Sequence, residues 1–473
     1  MKTGLLLILS CLVFLLGCSK KENAISPTPN NNSDISISAI TLPDMFQFGT
    51  IRNDSIIFNL PYGSDLSNMR MMVSAPGLDV SIANGVYVNY NQVKSLTAKF
   101  GNKEKKYSIV FNIPTKADVA VRGVWITNVA SSALSSVQNI SDCVDKLDDL
   151  GFNTAYVVVY NKSQTLFPST VLKKVLNASS ESDVQIYPGW DPLQTFIDKA
   201  HAKGIKVIAW FEYGFASHYA GQPSPLITLH PDWASKDNMG NITAKNSFYW
   251  LNGIHPEVQK FMLDLFSEVV QKYAVDGVQG DDRLPAMPIN GGYEPYTLNL
   301  YKSETGRGTP SSDTDADWMQ WRADKLTTFA GKLYHAIKNI RQNCIVAFAP
   351  TPYGWGYKNY LQAWDKWLEL GYVDLISPQL YRNESQGVSS YTALIDTDIS
   401  QVLSKNISYK SKYFPGILAR SGNYMPSNDY LYACLKCNRS KGIMGESLFF
   451  YEGIENNRLV YKALYPGKAI FPF

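Results

Sequence analysis

The strongest constraint on the fold is a repeating alternation of strand and helix patterns that begins at Val121. Short, apolar, β-prone runs alternate with longer runs in which apolar residues recur at helical spacing. The predicted strands are residues 121–127, 154–160, 206–213, 275–281, 344–351, 373–381, 412–419 and 446–451. Eight strands with helices between them predict an α/β fold of the (β/α)8 TIM-barrel type.

Helical patterns fill the intervals between these strands. They cover residues 140–150, 191–203, 256–273, 317–341, 360–370, 392–404 and 428–441. A doubly wound open sheet is the alternative, but no glycine-rich phosphate turn follows the first strand. The connections after strands two, three and four are long and leave the same face. Long loops on one face build a cleft, so we expect the ligand site there.

The N-terminus has the features of an export signal. Lys2 precedes the apolar run 5–16, and Leu15-Leu16-Gly17-Cys18 resembles a bacterial lipobox. Residues 1–18 are therefore interpreted as a lipoprotein signal peptide with Cys18 as the lipid attachment site. We expect a membrane-anchored protein of the cell envelope, with the outer membrane of a Gram-negative bacterium as the favoured location. A soluble secreted form is the alternative.

Two further regions precede the barrel, which we place at residues 120–473. Residues 19–34 are rich in Asn, Ser and Pro and are typical of a flexible tether. Residues 35–115 contain short alternating runs separated by Gly, Pro, Asn and Asp, which predict a small all-β sandwich. The segment 59–69 resembles the Ig-like modules of bacterial surface lipoproteins. We expect a spacer, with glycan binding as the alternative role.

Charge and composition narrow the function. The chain carries 44 Lys and Arg against 41 Asp and Glu, without a long basic run, so we expect no nucleic-acid partner. Ten Trp and 29 Tyr favour a carbohydrate partner, because sugar rings stack on aromatic faces. The histidines lack ligand spacing, and neither an HExxH helix nor a GxSxG turn is present. Residues 313–317 are interpreted as a capped helix start rather than a calcium loop. We expect no metal and no cofactor.

Acidic residues stand where strands three and four end. Glu212 and Asp281 occupy inward positions if the faces that hold Trp210 and Gln279 point into the barrel. Cleavage of a glycosidic bond needs two such groups, one to protonate the leaving oxygen and one to attack or to activate water. Helix capping or a salt bridge is the structural alternative for each acid taken alone.

The surroundings suggest how the roles divide. Glu212 lies between aromatic residues, which favours a raised pKa and the role of acid. Asp281 lies near Arg283 and is expected to stay ionised as nucleophile or base. Asp282 is expected to orient Arg283, to bind a sugar hydroxyl or to replace Asp281.

Other polar and aromatic residues stand at predicted strand ends and suit a sugar site. The predicted substrate-binding residues are Asn128, Tyr160, Trp210, Arg283, Tyr353, Gln379, Tyr381, Arg382 and Tyr451.

Several motifs occur in order between residues 121 and 451. They are RGVWIT (122–127), GFNT (151–154), WFEYGF (210–215), HPDW (230–233), HPEV (255–258), DGVQGDDR (276–283), GYEPY (292–296), ISPQLYR (376–382) and FFYE (449–452). Together they resemble the glycosyl hydrolase-like 10 family. The resemblance implies a TIM-type barrel related to glycosidases with a catalytic aspartate after strand four, which is Asp281 in this chain. Gln279, Gly280 and Arg283 depart from many relatives, and strand five ends without a carboxylate.

We therefore expect a glycoside hydrolase that acts on a polysaccharide or on peptidoglycan glycan strands by carboxylate acid/base catalysis. A non-catalytic glycan-binding envelope lipoprotein that uses the same cleft is the alternative. A structural envelope protein is a third interpretation, which predicts no cleft lined by acids and aromatic residues.

Overall fold

A computed structural model describes residues 35–221 and 224–473. The predicted signal peptide (1–18), lipid attachment at Cys18 and tether (19–34) lie outside the described residues.

The N-terminal part is all-β and has its own hydrophobic core, which includes Phe58, Leu96 and Tyr107. Its strands are β1 (Ala39–Leu42), β2 (Gln47–Phe48), β3 (Thr50–Arg52), β4 (Ser55–Asn59), β5 (Met69–Arg70), β6 (Met72–Ser74), β7 (Asp79–Val80), β8 (Tyr87–Val88), β9 (Ser95–Phe100) and β10 (Lys103–Asn112). They form a five-stranded sheet in the order β3-β4-β10-β9-β7, a three-stranded sheet β2-β1-β6 and the pair β5-β8. The Ig-like classification of this region stays a prediction.

The larger part is a mixed α/β structure around a parallel sheet. Its strands are β11 (Val121–Ile126), β12 (Thr154–Asn161), β13 (Gln164–Thr165), β14 (Lys206–Phe211), β15 (Ala216–Tyr219), β16 (Ala244–Lys245), β17 (Phe248–Trp250), β18 (Gly277–Gly280), β19 (Ile345–Phe348), β20 (Leu375–Ile376), β21 (Gly416–Leu418) and β22 (Gly445–Phe449).

Eight of these strands run parallel in the order β20-β19-β18-β14-β12-β11-β22-β21. Parallel bridges Ile376↔Tyr413 and Gln379↔Gly416 connect the two ends of this order, so the sheet curls round on itself as in a TIM barrel. Nearly every strand residue is buried, because side chains fill the inside and helices cover the outside.

Helices follow the strands along the chain. They are α1 (Val137–Asp149), α2 (Thr170–Val175), α3 (Pro192–Ala202), α4 (Pro225–Leu229), α5 (Pro256–Lys272), α6 (Pro295–Thr305), α7 (Ala316–Ile340), α8 (Trp355–Tyr360), α9 (Trp364–Glu369), α10 (Gly387–Gln401), α11 (Ile407–Lys410), α12 (Asn428–Ser440) and α13 (Arg458–Leu464). Asp315 caps α7 by accepting from the Trp318 backbone N–H, as predicted for the start of that helix.

The all-β part contacts the helix layer of the larger part. The rings of Phe46 and Tyr432 stack with centroids 4.9 Å apart. Gln47 Nε2 donates to the Tyr432 hydroxyl at 3.1 Å, and that hydroxyl donates to the Phe46 carbonyl at 3.0 Å. Helix α12 therefore carries one of the contacts between the two parts.

Within the described ranges, no helix combines the length and apolarity needed to cross a membrane. The described cysteines, Cys143, Cys344, Cys434 and Cys437, are free thiols.

Candidate active site

Three carboxylates lie together at the C-terminal edge of the parallel sheet. Strands β14 and β18 pair in parallel, with Phe211 opposite Gly280. The next residues, Glu212 and Asp281, therefore leave the sheet side by side, and Asp282 follows. This is the edge at which TIM-barrel enzymes carry their active sites.

Arg283 holds the three acids together. Its Nε and Nη2 donate to the Glu212 backbone carbonyl at 3.1 and 2.8 Å. Nη2 also donates to Asp281 Oδ2 at 3.0 Å, and Nη1 pairs with Asp282 Oδ1 at 2.9 Å. The guanidinium lies 4.6 Å from the Phe248 ring centroid and 5.5 Å from that of Tyr213. One buried cation thus fixes the geometry of the acid cluster, by which we mean Glu212, Asp281 and Asp282.

Asp281 is almost fully buried and both of its oxygens are engaged. Gln379 Nε2 donates to Oδ1 at 2.7 Å, while Arg283 donates to Oδ2. Burial raises the pKa of Asp281 well above its usual value, and the neighbouring charge of Asp282 adds to this effect. The prediction that Arg283 keeps Asp281 ionised is wrong in direction, because desolvation and a like charge outweigh the single guanidinium.

The pKa of Glu212 is raised, as predicted, while its role as the acid stays a prediction. Burial raises its pKa, and Arg283 and a hydrogen bond from Asn161 offset only part of that rise. Asn161 Nδ2 donates to Glu212 Oε2 at 2.9 Å. Glu212 Oε1 has no hydrogen-bond partner within residues 35–221 and 224–473, so one oxygen faces the cleft.

Asn161 was not predicted from the sequence, and Tyr160 was predicted in its place. The register of β12 against β14 shifts between Val158 and Tyr160, so Tyr160 pairs with Phe211, and both rings pack on helix α5. The extra residue inverts the alternation of faces. Tyr160 is therefore removed from the cleft, and Asn161 points into it. Asn161 Nδ2 also donates to Asn128 Oδ1 at 2.6 Å, which places Asn128 at the site.

Trp210 lies beneath the acids rather than on an open wall. It is fully buried, and its ring centroid is 6.5 Å from that of Trp125. Trp125 Nε1 donates to Gln279 Oε1 at 2.8 Å across the barrel interior. Trp125 and Gln279 form the floor of the site and were not predicted, since interior packing leaves no mark on either strand alone.

Tyr381 lies beside the acids, and Arg382 follows it in the chain. The Tyr381 ring packs on Phe449 at 5.2 Å between centroids. Burial raises the pKa of its phenol well above the usual value, and the charges of Asp281 and Asp282 raise it further. Arg382 Nη1 donates to the Tyr381 carbonyl at 2.7 Å. The predicted residues Gln379 and Tyr381 thus lie at the site, whereas no contact joins Arg382 to the acids within the described residues.

The structure does not bring Tyr353 and Tyr451 to the acids. Tyr353 packs edge-on against Trp364 of α9, with centroids 5.4 Å apart. Tyr451 packs against α1, where Lys146 Nζ lies 5.1 Å from its ring centroid. A 3₁₀ turn begins at Tyr451, so the residue leaves the strand direction on which its predicted position depended.

Several buried polar atoms around the acids lack a hydrogen-bond partner among the described residues. They are Asn161 Oδ1, Trp210 Nε1, Gln279 Nε2 and Tyr381 Oη. Such atoms also occur elsewhere among the described residues, as at Trp250, Trp364 and Trp367. The four beside the acids are free to bond a polar ligand.

The chemistry of this site is that of carboxylates, a guanidinium and amides. No trio of His, Cys, Asp or Glu within the described part of the chain is arranged to hold a metal ion. A surface groove of about 420 Å³ between α2 and α5, lined in part by Lys174, His230 and Phe261, contains none of the acid cluster.

The chain is similar in sequence to known proteins. The chain is 30% identical over 307 residues to "Glycosyl hydrolase DigH" of Escherichia coli K12, a match that covers 58% of this chain and 64% of DigH. It is 24% identical over 324 residues to "Glycosyl hydrolase YngK" of Bacillus subtilis, which covers 61% of this chain and 59% of YngK. The matched part thus spans less than two thirds of each relative.

Solved structures share the fold. The glycoside hydrolase domain of PgaB (BpsB) from Bordetella bronchiseptica superimposes with a TM-score of 0.50 at 13% identity, covering 72% of this chain and 96% of that domain. The catalytic domain of β-amylase from Paenibacillus polymyxa gives a TM-score of 0.51 at 11% identity, covering 73% and 97%. The glycosyl hydrolase-like 10 family model matches residues 120–432, and this chain belongs to that family.

Proposed function

We propose that the protein is a glycoside hydrolase that cleaves a polysaccharide or a peptidoglycan glycan strand by carboxylate acid/base catalysis. The observation that carries the proposal is the acid cluster, whose members leave neighbouring strands side by side around one arginine. Cleavage needs one protonated and one ionised carboxyl group. Burial raises the pKa of Glu212, which favours the protonated form that the acid role requires.

We assign the general-acid role to Glu212. Its pKa is raised by burial, and its Oε1 is open to the cleft, so it can hold a proton and deliver it to the glycosidic oxygen. Asp282, whose charge helps to raise the Asp281 pKa, supplies the negative charge opposite. The side chain of Asp282 is 22% exposed against 4% for Asp281, so Asp282 reaches a ligand more directly while Asp281 holds Arg283 and Gln379.

The test is release of reducing sugar from purified peptidoglycan and from a panel of envelope polysaccharides. We expect Glu212→Gln and Asp281→Asn to lower turnover by about a thousandfold, the range for loss of a general acid or base. Glu369→Gln is the matched control, because Glu369 is an exposed acid paired with Lys366. Wild-type activity in either acid-cluster variant contradicts the proposal.

One observation favours the alternative of a non-catalytic glycan-binding protein. Both Asp281 oxygens are already engaged by Gln379 and Arg283, an arrangement that also suits a fixed binding surface. The two functions differ in turnover. Glycan binding that is lost in Asp281→Asn, without reducing-sugar release by the wild type, supports the binding protein.

We also propose that Cys18 carries the lipid that anchors the protein in the cell envelope. The proposal rests on the apolar run and the lipobox-like residues 15–18. Cells fed a labelled fatty acid should incorporate label into the wild-type protein and not into Cys18→Ala. Equal labelling of both proteins contradicts the assignment.

A further inference from the structure

The acid cluster is bordered by two rows of aromatic rings, each of which ends in a half-exposed ring. We define the Tyr219 row as Phe248 and Tyr219, and the Trp355 row as Tyr360 and Trp355. Tyr219 is 50% exposed and Trp355 is 49% exposed. In each row, one inner ring separates the half-exposed ring from the acid cluster and Arg283, which together we call the charged centre.

The Tyr219 row begins at Arg283. Phe248 covers the guanidinium at 4.6 Å, and Tyr219 meets Phe248 edge-on with centroids 5.0 Å apart. Tyr219 and Phe248 are register partners in the antiparallel pair β15–β17, which holds their spacing. The Tyr219 row therefore leads outward from Arg283, and its two rings are held by the paired strands β15 and β17.

The Trp355 row begins beside Asp282. Gln362, two residues after Tyr360, donates from Nε2 to the Asp282 backbone carbonyl at 3.0 Å, which places this segment beside Asp282. Trp355 packs on Tyr360 at 5.7 Å between centroids. Asn246 Nδ2 donates to the Tyr360 hydroxyl at 2.9 Å, and Lys245 Nζ donates to the Asn359 carbonyl at 3.3 Å. These contacts fasten α8 to the β16–β17 hairpin.

We propose that Tyr219 and Trp355 are outer stacking platforms for sugar rings, so that the substrate is a chain of several sugar residues rather than one terminal sugar. Aromatic faces attract the apolar faces of sugar rings, and each platform is continuous with the charged centre through one buried or half-buried ring. The inference rests on the proposed function and specifies the class of its substrate. The distance between neighbouring ring centroids in each row is comparable with the length of one sugar residue. The platforms would therefore contact sugar residues beyond the cleaved bond.

The test measures binding, which does not depend on turnover. Tryptophan fluorescence is titrated with chitohexaose, cellohexaose and xylohexaose, and with the disaccharide of each, using the full chain. We expect the wild type to bind at least one hexasaccharide, and the double variant Tyr219→Ala with Trp355→Ala to bind it about tenfold more weakly, because two stacking contacts of ordinary strength are lost. Disaccharide binding should change less than about twofold, because a disaccharide stays at the centre.

Matched variants separate a lost ring from a lost fold. Tyr219→Phe with Trp355→Phe keeps both rings and should retain hexasaccharide binding. Tyr87→Ala removes another exposed tyrosine, 53% exposed in the all-β part, and should bind as the wild type does. Circular dichroism melting checks that the double alanine variant is folded.

Each outcome decides the inference. Equal hexasaccharide affinity in wild type and the double alanine variant overturns it, and so does the absence of hexasaccharide binding by the wild type. An equal loss of affinity for hexasaccharide and disaccharide in the double alanine variant also overturns it. The two substitutions would then have disturbed the acid cluster rather than removed outer contacts. Platform-dependent binding without reducing-sugar release would instead leave the platforms in place and refute hydrolysis.

Discussion

The pKa of Glu212 is set by the groups around its side chain. Burial raises the pKa, while the Arg283 charge and the Asn161 hydrogen bond lower it by a smaller amount. The position of Glu212 follows from strand alternation, which is readable from the sequence. The contribution of Asn161 is not readable, because it depends on a neighbouring strand whose alternation is interrupted.

The first residue-scale prediction concerns Asn161→Ala. Its hydrogen bond favours the ionised form of Glu212, so its removal raises the Glu212 pKa further. A general acid must be protonated, and activity is lost as pH rises through its pKa. We expect the alkaline limb of kcat/KM to move upward by about one pH unit, the effect of one hydrogen bond to a charged group.

Asn128→Ala is the control for this shift. It removes the other acceptor of Asn161 Nδ2 and leaves the bond to Glu212. Its alkaline limb should stay near that of the wild type. An alkaline limb that stays in place or moves downward in Asn161→Ala argues against Glu212 as the acid.

Asp281 marks the limit of residue-by-residue prediction. An arginine two positions away predicts an ionised aspartate, whereas the structure shows a raised pKa. Burial by elements distant in sequence decides whether the Asp281 pKa rises or falls. Gln379, which lies far along the chain, is one of the residues that bury Asp281. Sequence proximity shows which charges are present but not how much water they have lost.

At the scale of the element, the bulge in β12 decides which residue faces the cleft. Val157, Val158 and Val159 are all β-branched and apolar, so nothing in their sequence indicates where the alternation breaks. Strict alternation places Tyr160 at the rim, and the observed register shift places Asn161 there instead. Strand positions were predictable from composition, while this register required the partner strand.

Tyr160→Phe tests this assignment. The Tyr160 ring packs against Phe261 of α5 with centroids 6.2 Å apart, so removing its hydroxyl leaves the cleft unchanged. We expect reducing-sugar release to stay within about twofold of the wild type, as for a change remote from the transition state. A loss of about tenfold or more would place the Tyr160 hydroxyl at the substrate.

Helix α10 contains a buried acid that predicts a pH-dependent stability. Asp398 is 1% exposed, and the Tyr413 hydroxyl donates to its Oδ2 at 2.6 Å. Burial raises its pKa to about 7. The unfolded chain releases this proton near its usual, lower pKa, so the stabilising effect of the protonated folded form is lost as pH rises towards 7.

Asp398→Asn should remove this dependence, because asparagine stays neutral and still accepts from Tyr413. Between about pH 4 and pH 7 the free energy of unfolding of the wild type should fall by about 4 kcal/mol more than that of the variant, from roughly three units of pKa difference. Urea unfolding at several pH values measures it. Parallel pH profiles for the two proteins would contradict a protonated Asp398.

At the scale of the whole molecule, two hydrophobic cores follow from two kinds of pattern. Alternation at period two marks the all-β part, and the strand–helix repeat marks the part that belongs to the glycosyl hydrolase-like 10 family. Their contact was not predictable. It joins Phe46 and Gln47 to Tyr432, residues in otherwise ordinary contexts that only the folded chain brings together. The small antiparallel sheet formed by β15, β17 and β16 was likewise missed, because it lies in a connection predicted as a loop.

The contact at Tyr432 predicts that the all-β part depends on the larger part for thermal stability. Tyr432→Ala removes a stacked pair and two hydrogen bonds, an effect of about 2 kcal/mol on the all-β part. For a region of this size that lowers its melting temperature by roughly 10 °C. Differential scanning calorimetry should show an early transition that is absent or later in the wild type.

Tyr432→Phe keeps the stack and should shift the transition about half as far, since only the hydrogen bonds are lost. Unchanged melting in Tyr432→Ala would mean that other contacts, such as the close approach of Gly63 to Gly467, carry the coupling between the two parts.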